Sequence, residues 1–458
     1  MSSRMSNSSP RVLIIGSGVC GLYAGLTLAR GGAEVTILEK EPRIGGLAAG
    51  FKFGENFCDF GVHMLHAFNK KIFEDCAALM GKEKIEVALD ARIRWGDTSC
   101  RYPLKFKDML SAMPPFTLFR CVTGLLIAEI TGAKRSKEIH NAEDALIAFY
   151  GAPLYEYFFE EFTHKYWNIH PRDLSAEFIR RKMPRLSAVD VLRKISPFKK
   201  RNSGEATESA LDKETLHYSK TGSETLPRSL ANEFGKLGGT ILTEANLSSL
   251  SLSPCQAIYQ HENQEKSWQG DHIINTAPLH ILFDLLGADA PQKLHTAVAS
   301  LKYKPTVVFA VLVNADKCMT GQYTYYRNRT FHRVGEPKNA GLVVKPHDHT
   351  ILVIEATCEL DDYKWRGTED YKNEIIVGLE EESICREEDI VSWNLMRSPH
   401  GYPIYTNGFD THLDELQAWI DQEQNLTSTG RQGGFCYPAM HTAMQLGKDA
   451  ALGLLEKR

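Results

Sequence analysis

The sequence predicts an α/β fold in which a domain built on a parallel sheet is interleaved with a second domain of helices and an antiparallel sheet. Three observations support this prediction. A buried strand, a glycine-rich turn, a helix and a second strand follow one another between residues 11 and 39. A second glycine-rich segment, residues 430–434, precedes another helix near the end of the chain. Runs rich in Val and Ile, typical of strands, lie between residues 300 and 395.

The domains are expected to be discontinuous, because the two glycine-rich segments stand near opposite ends of the chain. We predict that residues 1–105, 215–300 and 396–458 form the first domain. Residues 106–214 and 301–395 would supply the helical part and the sheet part of the second. The runs 306–313, 341–345 and 350–356 are the strands expected in that sheet, and the polar stretch 197–214 predicts a solvated loop.

The composition is that of a folded chain with more than one domain: 458 residues, 43% hydrophobic and 24% charged. A net charge of −4 gives no overall electrostatic reason to bind nucleic acid. The ten cysteines form no C-x-x-C pair, and no apolar signal segment precedes them. We therefore expect reduced thiols, no metal site and a cytoplasmic protein acting on a small molecule, with no prediction of oligomeric state.

One apolar stretch, residues 114–132, could be mistaken for a membrane span. Arg120 and Glu129 interrupt it, so it contains no uncharged run of roughly 18 residues. We expect no transmembrane segment and interpret the stretch as a buried or cleft-lining helix. Contact with a membrane surface is the alternative.

The first glycine-rich turn has the pattern G-x-G-x-x-G, and each glycine has a physical reason. Gly16 allows the tight turn, Gly18 lets backbone approach a pyrophosphate, and Gly21 permits close packing of helix on strand. The helix that follows presents free N–H groups to phosphates. Glu39 ends the second strand, where a carboxylate accepts ribose hydroxyls and repels a 2′-phosphate. The unit predicts a dinucleotide site that disfavours NADP.

Residues 40–47, K-E-P-R-I-G-G-L, follow this unit. They resemble the double-glycine extension of a large FAD-dependent clan that contains the amine oxidases, protoporphyrinogen oxidases and UDP-galactopyranose mutases. This resemblance implies a Rossmann-type FAD-binding domain of the GR2-like kind. It places four residues beside the cofactor: Arg43, Gly45, Gly46 and Leu47.

A histidine segment, C-D-F-G-V-H-M-L-H at residues 58–66, resembles G-x-H-x-x-H of the mutases and D-x-G-x-H of their oxidoreductase relatives. The resemblance implies that His63 lies beside the isoalloxazine ring. His63 is therefore a cofactor-binding residue and the best candidate for a catalytic acid or base. A metal pair with His66 is not expected, because no third ligand stands at a suitable spacing.

Two segments resemble substrate-binding segments of the mutases. Residues 158–186 imply that Phe162 stacks on a base, Trp167 covers a sugar ring and Arg181 lies near flavin and substrate phosphate; the last two are also catalytic candidates. F-H-R-V-G-E, residues 331–336, implies that Arg333 binds a diphosphate. H-G-Y-P-I-Y, residues 400–405, adds Tyr402 to the predicted substrate site.

The C-terminal segment, residues 425–441, resembles the second FAD motif of this clan. It implies that Gly430, Arg431 and Met440 contact the cofactor and that Tyr437 contacts a diphosphate. Three positions depart from the mutase pattern. They are Cys436 in place of Arg, Ala439 in place of Asn or Asp, and His441 in place of Asp.

Two reactions are compatible with this set of residues. The first is an FAD-dependent oxidoreductase that removes hydride from a small, anionic or nucleotide-linked biosynthetic substrate. The second is a nucleotide-sugar mutase that uses reduced FAD without net redox. NAD(P)H is considered in addition, as an external reductant of the flavin. The three departures and the D-F-G-x-H segment favour the oxidoreductase. A flavin-free interaction protein is disfavoured, because all the phosphate-binding glycines are present.

Overall fold

The structure, a computed structural model, describes residues 9–96, 98–102, 113–135, 139–182 and 215–456. Side chains are described throughout these ranges except at residues 95, 102, 132–135, 181 and 182. The loop predicted at residues 197–214 lies outside the described residues.

The described strands alternate with helices in the N-terminal part and cluster between residues 240 and 404. In chain order they are β1 (Arg11–Ile15), β2 (Glu34–Leu38), β3 (Gly50–Phe53), β4 (Asn56–Asp59), β5 (Lys84–Ala88), β6 (Ala91–Trp95), β7 (Thr98–Tyr102), β8 (Thr215–Ser219), β9 (Thr240–Leu242), β10 (Asn246–Leu252), β11 (Cys255–His261), β12 (Gln264–Gln269), β13 (His272–Asn275), β14 (Lys302–Val313), β15 (Tyr323–Tyr326), β16 (Arg333–Gly335), β17 (Thr350–Thr357), β18 (Ile390–Ile404) and β19 (Leu426–Ser428).

The α-helices of four or more residues are α1 (Val19–Arg30), α2 (Lys70–Met80), α3 (Pro115–Arg135), α4 (Ala142–Tyr150), α5 (Glu160–Trp167), α6 (Ala176–Lys182), α7 (Thr225–Lys236), α8 (Leu279–Leu286), α9 (His295–Ser300), α10 (Tyr363–Arg366), α11 (Glu369–Glu381), α12 (Phe409–Ile420), α13 (Gly430–Gly433) and α14 (Met440–Glu456).

A five-stranded parallel sheet confirms the predicted α/β class. Its strand order is β19-β13-β1-β2-β9, so segments from both ends and the middle of the chain pair within one sheet. The central strand β1 is apolar on both faces because α1 and α14 cover one face and α8 with its neighbours covers the other. The carboxyl ends of β1 and β2 lead directly into the glycine turn and Glu39.

A seven-stranded sheet, in the order β18-β14-β17-β16-β15-β6-β7, is antiparallel except where β15 pairs with β6. It contains the runs predicted at 306–313 and 350–356. The strand predicted at residues 341–345 is wrong: Gly341, with φ of 100°, ends a 3₁₀ turn. Val343 then makes an isolated backbone bond to Lys220 rather than joining a ladder.

The division into two domains stays a prediction, and the sheets bear on its boundaries. β6 and β7 lie before residue 105 yet pair with the seven-stranded sheet, and β18 runs through residue 396 without a break. We propose to move the first boundary to about residue 90. The helices α3 to α6 pack together as a separate apolar cluster beside β18.

The helix α3 contains the apolar stretch singled out in the sequence. No helix among the described residues is long and apolar enough to cross a membrane. The expectation of a buried helix is only half right, because one face of α3 is buried and the opposite face is exposed.

Candidate active site

The first glycine turn leaves open space where it was predicted to meet phosphates. A Cβ placed on Gly21 would lie 2.1 Å from the carbonyl oxygen of Gly16, so only glycine lets α1 start this close to β1. A Cβ on Gly18, by contrast, would meet no described atom within 4 Å. The space above Gly18 is therefore free for a ligand, and it adjoins the N-terminus of α1.

The second glycine pair packs directly on the first turn. The Gly45 N–H donates to the carbonyl of Ser17 at 2.9 Å, and a Cβ on Gly46 would come within 3.2 Å of the Gly18 Cα. Gly45 and Gly46 have φ values of 106° and 58°, in the left-handed region that favours glycine. The two loops thus form one backbone-lined wall.

Glu39 organises this wall from the end of β2. Its Oε2 accepts from the backbone N–H and the hydroxyl of Ser17 at 2.9 and 2.7 Å, and its Oε1 accepts from the Glu41 N–H at 3.0 Å. A carboxylate has about four lone-pair directions, so Glu39 keeps capacity for a ribose hydroxyl. Arg43 lies nearby, its guanidinium carbon 4.1 Å from the Phe51 ring centre.

The C-terminal glycine segment meets the first turn through Cys20. A Cβ on Gly430 would lie 2.8 Å from the Cys20 Sγ, and one on Gly447 of α14 would lie 2.2 Å from the Cys20 carbonyl oxygen. The structure therefore brings the two predicted cofactor motifs together. Met440, the first residue of α14, is half-buried against the apolar cluster around α1, and Leu47 is half-buried against the cluster around β4 and β8.

Side chains from β14, β16, β17 and β18 contribute to a cavity of about 30 Å³, room for one or two waters. Aromatic, hydroxyl and charged side chains line it. They are Tyr166, Thr306, Tyr325, His332, Arg333, Glu355, Thr357, Tyr402 and Tyr437. The predicted substrate residues Arg333, Tyr402 and Tyr437 thus share one cavity.

Arg333 is already paired within this cavity. Its Nε donates to Oε1 of Glu355 at 2.8 Å and its Nη2 donates to Oε2 at 2.7 Å, a bidentate arrangement across the paired strands β16 and β17. Its Nη1 donates to the Tyr325 hydroxyl at 3.3 Å. Glu355 also accepts from the Val62 N–H at 3.3 Å, next to His63. The charge of Arg333 is therefore matched before any substrate binds.

Arg431 is held differently. Its guanidinium carbon lies 5.0 Å from the Tyr402 ring centre and 4.3 Å from that of Tyr437, and its Nη2 donates to the Gly401 carbonyl at 2.6 Å. Its buried Nε has no hydrogen-bond partner, and no carboxylate pairs with it, within the ranges that the structure describes. Arg431 therefore brings an unmatched positive charge to the site.

His63 is neutral at ordinary pH. Burial, with the positive charges of Arg333 and Arg431, lowers the pKa of His63 to about 3. Its buried Nδ1 is without a hydrogen-bond partner among the described side chains and backbone. An imidazole with so low a pKa is a weak base at pH 7, so these surroundings favour a neutral contact over proton abstraction.

The structure describes the surroundings of the other three predicted substrate residues to different extents. Trp167 is buried in the helical cluster, with its ring edge-on to Phe178 and Tyr402, and it is not among the residues lining the cavity. Phe162 is half-buried, with its ring centre 6.2 Å from that of Tyr166. Arg181 lies in α6, but its side chain is outside the described residues. The roles predicted for these three residues stay predictions.

Sequence reasoning missed Tyr166, Glu355 and His332. Tyr166 follows Phe162 by one helical turn, which was the one local signal available. Glu355 and His332 reach the cavity through strand pairing that no local pattern specifies. Lys165 lies in the same helix, α5, one residue before Tyr166. Its Nζ donates to the carbonyls of Tyr326, Arg327 and Phe331 at 2.7–3.2 Å and so fastens α5 to the seven-stranded sheet.

Comparison with known proteins defines the class to which this fold and site belong. The profile of the flavin-containing amine oxidoreductases matches residues 19–315, and the chain is therefore a member of that family. It is therefore a flavin-dependent enzyme.

Three solved structures show how widely the fold is used. A reduced UDP-galactopyranose mutase is 19% identical with a TM-score of 0.81, covering 98% of this chain and 96% of its own. The cyclohexylamine oxidase of Brevibacterium oxydans is 12% identical with a TM-score of 0.67, at 98% and 99% coverage. A fatty acid isomerase from P. acnes is 14% identical with a TM-score of 0.66, also at 98% and 99%. At these identities the likeness concerns the fold alone.

The residues present fit the flavin that the family implies. The glycine wall has open space above Gly18, Glu39 is buried at the end of β2, and His63 and Arg431 each have a buried nitrogen without a partner among the described residues. Open space at a glycine turn and buried polar atoms without partners are both expected where a polar ligand belongs.

Proposed function

We propose that this protein is an FAD-dependent oxidoreductase that removes hydride from a small anionic substrate held between Arg431 and the tyrosines of the cavity. The observation that carries the proposal is the unmatched guanidinium of Arg431, clamped between Tyr402 and Tyr437. A bound flavin would supply two-electron chemistry there.

The cofactor site that we propose consists of residues described above. Gly16, Gly18, Gly21, Gly45 and Gly46 would let backbone approach the pyrophosphate, and Glu39 would accept a ribose hydroxyl. Arg43, Leu47, Gly430 and Met440 would complete its walls. His63 would contact the ring system as a neutral imidazole.

Within the cavity, the chain's own residues would bind and orient the substrate. Arg431 offers charge and a free N–H, while Arg333, neutralised by Glu355, keeps the His63 segment in place through the bond from Val62. Burial raises the pKa of Tyr437 and Tyr166 above the ordinary value, so their hydroxyls remain protonated donors. The cavity is small, with room for only one or two waters.

A nucleotide-sugar mutase is the second candidate. It is favoured by one observation: Arg333, Tyr402 and Tyr437, which match mutase motifs, do meet in one cavity. The pairing of Arg333 with Glu355 and the narrowness of the cavity favour the oxidoreductase. NAD(P)H as external reductant remains a proposal that only steady-state assays with and without it can test.

The anion site is tested by titrating the yellow holoprotein with inorganic pyrophosphate and with sulfite while following the flavin spectrum. We expect Arg431→Met to weaken both at least about ten-fold, because a hydrogen bond to a charged group contributes about 1.5–3 kcal/mol. Arg397→Met is the matched control, since Arg397 donates to the backbone of Trp365 and Arg366 at the surface. Equal affinities in wild type and Arg431→Met would contradict the assignment.

A further inference from the structure

The helix α3 is apolar around most of its circumference although it lies at the surface. Its inner face packs on the other helices: Cys121, Leu125 and Ala128 are buried, and a Cβ on Gly124 would lie 2.7 Å from the ring of Pro153. A helix that is hydrophobic all round is normally covered on both sides. None of the residues that the structure describes covers the outer face of α3.

Large apolar side chains occupy that outer face. Four of the twelve exposed large hydrophobic residues of the described chain lie there: Phe116 (73% exposed), Phe119 (66%), Ile127 (56%) and Ile130 (79%). At 100° per residue they fall within a sector of roughly 80°, opposite the buried face. We call these four residues the α3 stripe. Scattered exposed hydrophobics are ordinary, but a contiguous stripe marks an interaction surface.

The charge of α3 indicates what covers the stripe. The helix carries three basic residues and one acidic residue, in a chain whose net charge is −4. Arg120 forms a surface ion pair with Glu156, with N and O 3.7 Å apart, and the helix ends in Lys134 and Arg135. An apolar face with basic residues is the pattern of a helix that lies in the plane of a membrane interface. At about 1.5 Å per residue, α3 is roughly 30 Å long, and no helix of the described residues meets the length and hydropathy that a membrane span needs.

We propose that the α3 stripe inserts into the surface of an anionic lipid bilayer and docks the enzyme there reversibly. A second copy of the chain is the competing occupant, and two arguments disfavour it. The four side chains offer roughly 500 Å² of apolar area, below the ~800 Å² per partner of a stable interface. A twofold contact would also place the basic end of each α3 helix against the α3 helix of its mate or against a surface of mixed charge. An anionic lipid surface, by contrast, attracts the basic residues of α3 along the whole helix.

The test uses the holoprotein and vesicles of phosphatidylcholine with about 30% phosphatidylserine, compared with phosphatidylcholine alone. We expect flotation of wild type with the anionic vesicles and at least about ten-fold weaker binding to neutral ones, since each basic residue near an anionic surface adds roughly five-fold. Phe116→Ser/Phe119→Ser should weaken binding at least about ten-fold, and added salt should weaken wild-type binding.

The matched control is Leu237→Ser/Val377→Ser, which removes two exposed apolar side chains that lie outside α3. It should bind vesicles as wild type does. Flavin content and melting temperature should be the same in all three proteins, which separates this inference from the proposed reaction. Three results would overturn the proposal: no vesicle binding by wild type, equal binding by Phe116→Ser/Phe119→Ser, or equal binding to neutral and anionic vesicles. A concentration-dependent dimer that the double variant abolishes, without vesicle binding, would assign the stripe to a second copy instead.

Discussion

The ion pair between Arg333 and Glu355 leads to a quantitative prediction. Both side chains are largely buried, 16% and 8% exposed, and two hydrogen bonds of 2.8 and 2.7 Å join them. The Tyr323 and Tyr325 rings flank the guanidinium at 5.3 and 5.4 Å. Removing one partner of such a pair leaves an unmatched buried charge, which costs about 3–5 kcal/mol.

The expected change in melting temperature follows from the chain length. Unfolding entropy is about 2.1 cal/mol/K per residue, so for 458 residues 1 kcal/mol corresponds to about 1 °C. Arg333→Met and Glu355→Gln should each lower the melting temperature by about 3–5 °C. The double variant should lose less than the sum of the two, with a coupling free energy of about 2–3 kcal/mol, because it leaves no charge behind.

Differential scanning calorimetry of the four proteins measures this cycle. Arg11→Met is the control, because Arg11 and Glu34 form an exposed pair at 3.2 Å whose loss should cost less than about 1 kcal/mol. Single variants that melt as wild type does, or a double variant whose loss equals the sum, would refute the argument that Arg333 is neutralised in place. In that case the prediction from sequence, that Arg333 binds a substrate diphosphate, would be favoured.

Two further predictions concern the cofactor wall and its surroundings. Gly18→Val should abolish the flavin absorbance while the protein remains folded, because the new side chain would occupy space that is empty in the protein and adjoins the phosphate site; Gly235→Ala, where a Cβ also meets nothing, should keep full flavin content. A folded Gly18→Val protein with normal flavin would contradict the placement of the cofactor. Burial raises the pKa of Asp59 to about 6 although Tyr218 and Ser223 donate to it at 2.5 and 2.8 Å. Because the folded protein then binds this proton more tightly than the unfolded chain, stability from Asp59 is present at low pH and is lost as pH rises from about 4 to 6, by up to about 3 kcal/mol. Urea unfolding across this pH range should show the fall in unfolding free energy in wild type but not in Asp59→Asn. The same pH dependence in both proteins would contradict the prediction.

The cofactor side of the molecule was predictable because its signals are local. Strand, glycine turn, helix and acidic residue are contiguous in sequence, and glycine positions follow from steric limits that hold in any chain. The substrate side depends on long-range pairing. Glu355 meets Arg333 only because β17 lies beside β16. Arg431 reaches Tyr402 only because the C-terminal segment that carries it packs against β18.

The resemblance to mutases assigned roles by sequence position, and the structure changes the emphasis among them. Arg333 has a carboxylate partner, Glu355, that no local sequence pattern predicts. The arginine whose charge is unmatched is Arg431 instead. The lowered pKa of His63 likewise depends on tertiary structure, first on burial and then on two arginines distant in sequence. The exposure of the outer face of α3 could not be predicted from sequence. An apolar run predicts a helix, but it does not indicate how much of that helix the neighbouring helices cover.

The most direct test of the proposed function is the flavin absorbance, near roughly 450 nm, of the purified protein mixed anaerobically with candidate substrates. We predict a yellow protein whose absorbance is bleached by a small anionic substrate with no added reductant. Candidates would include hydroxy and amino acids beside nucleotide sugars. Turnover of a nucleotide sugar only after prior reduction, with no net consumption of electrons, would contradict the oxidoreductase and establish the mutase.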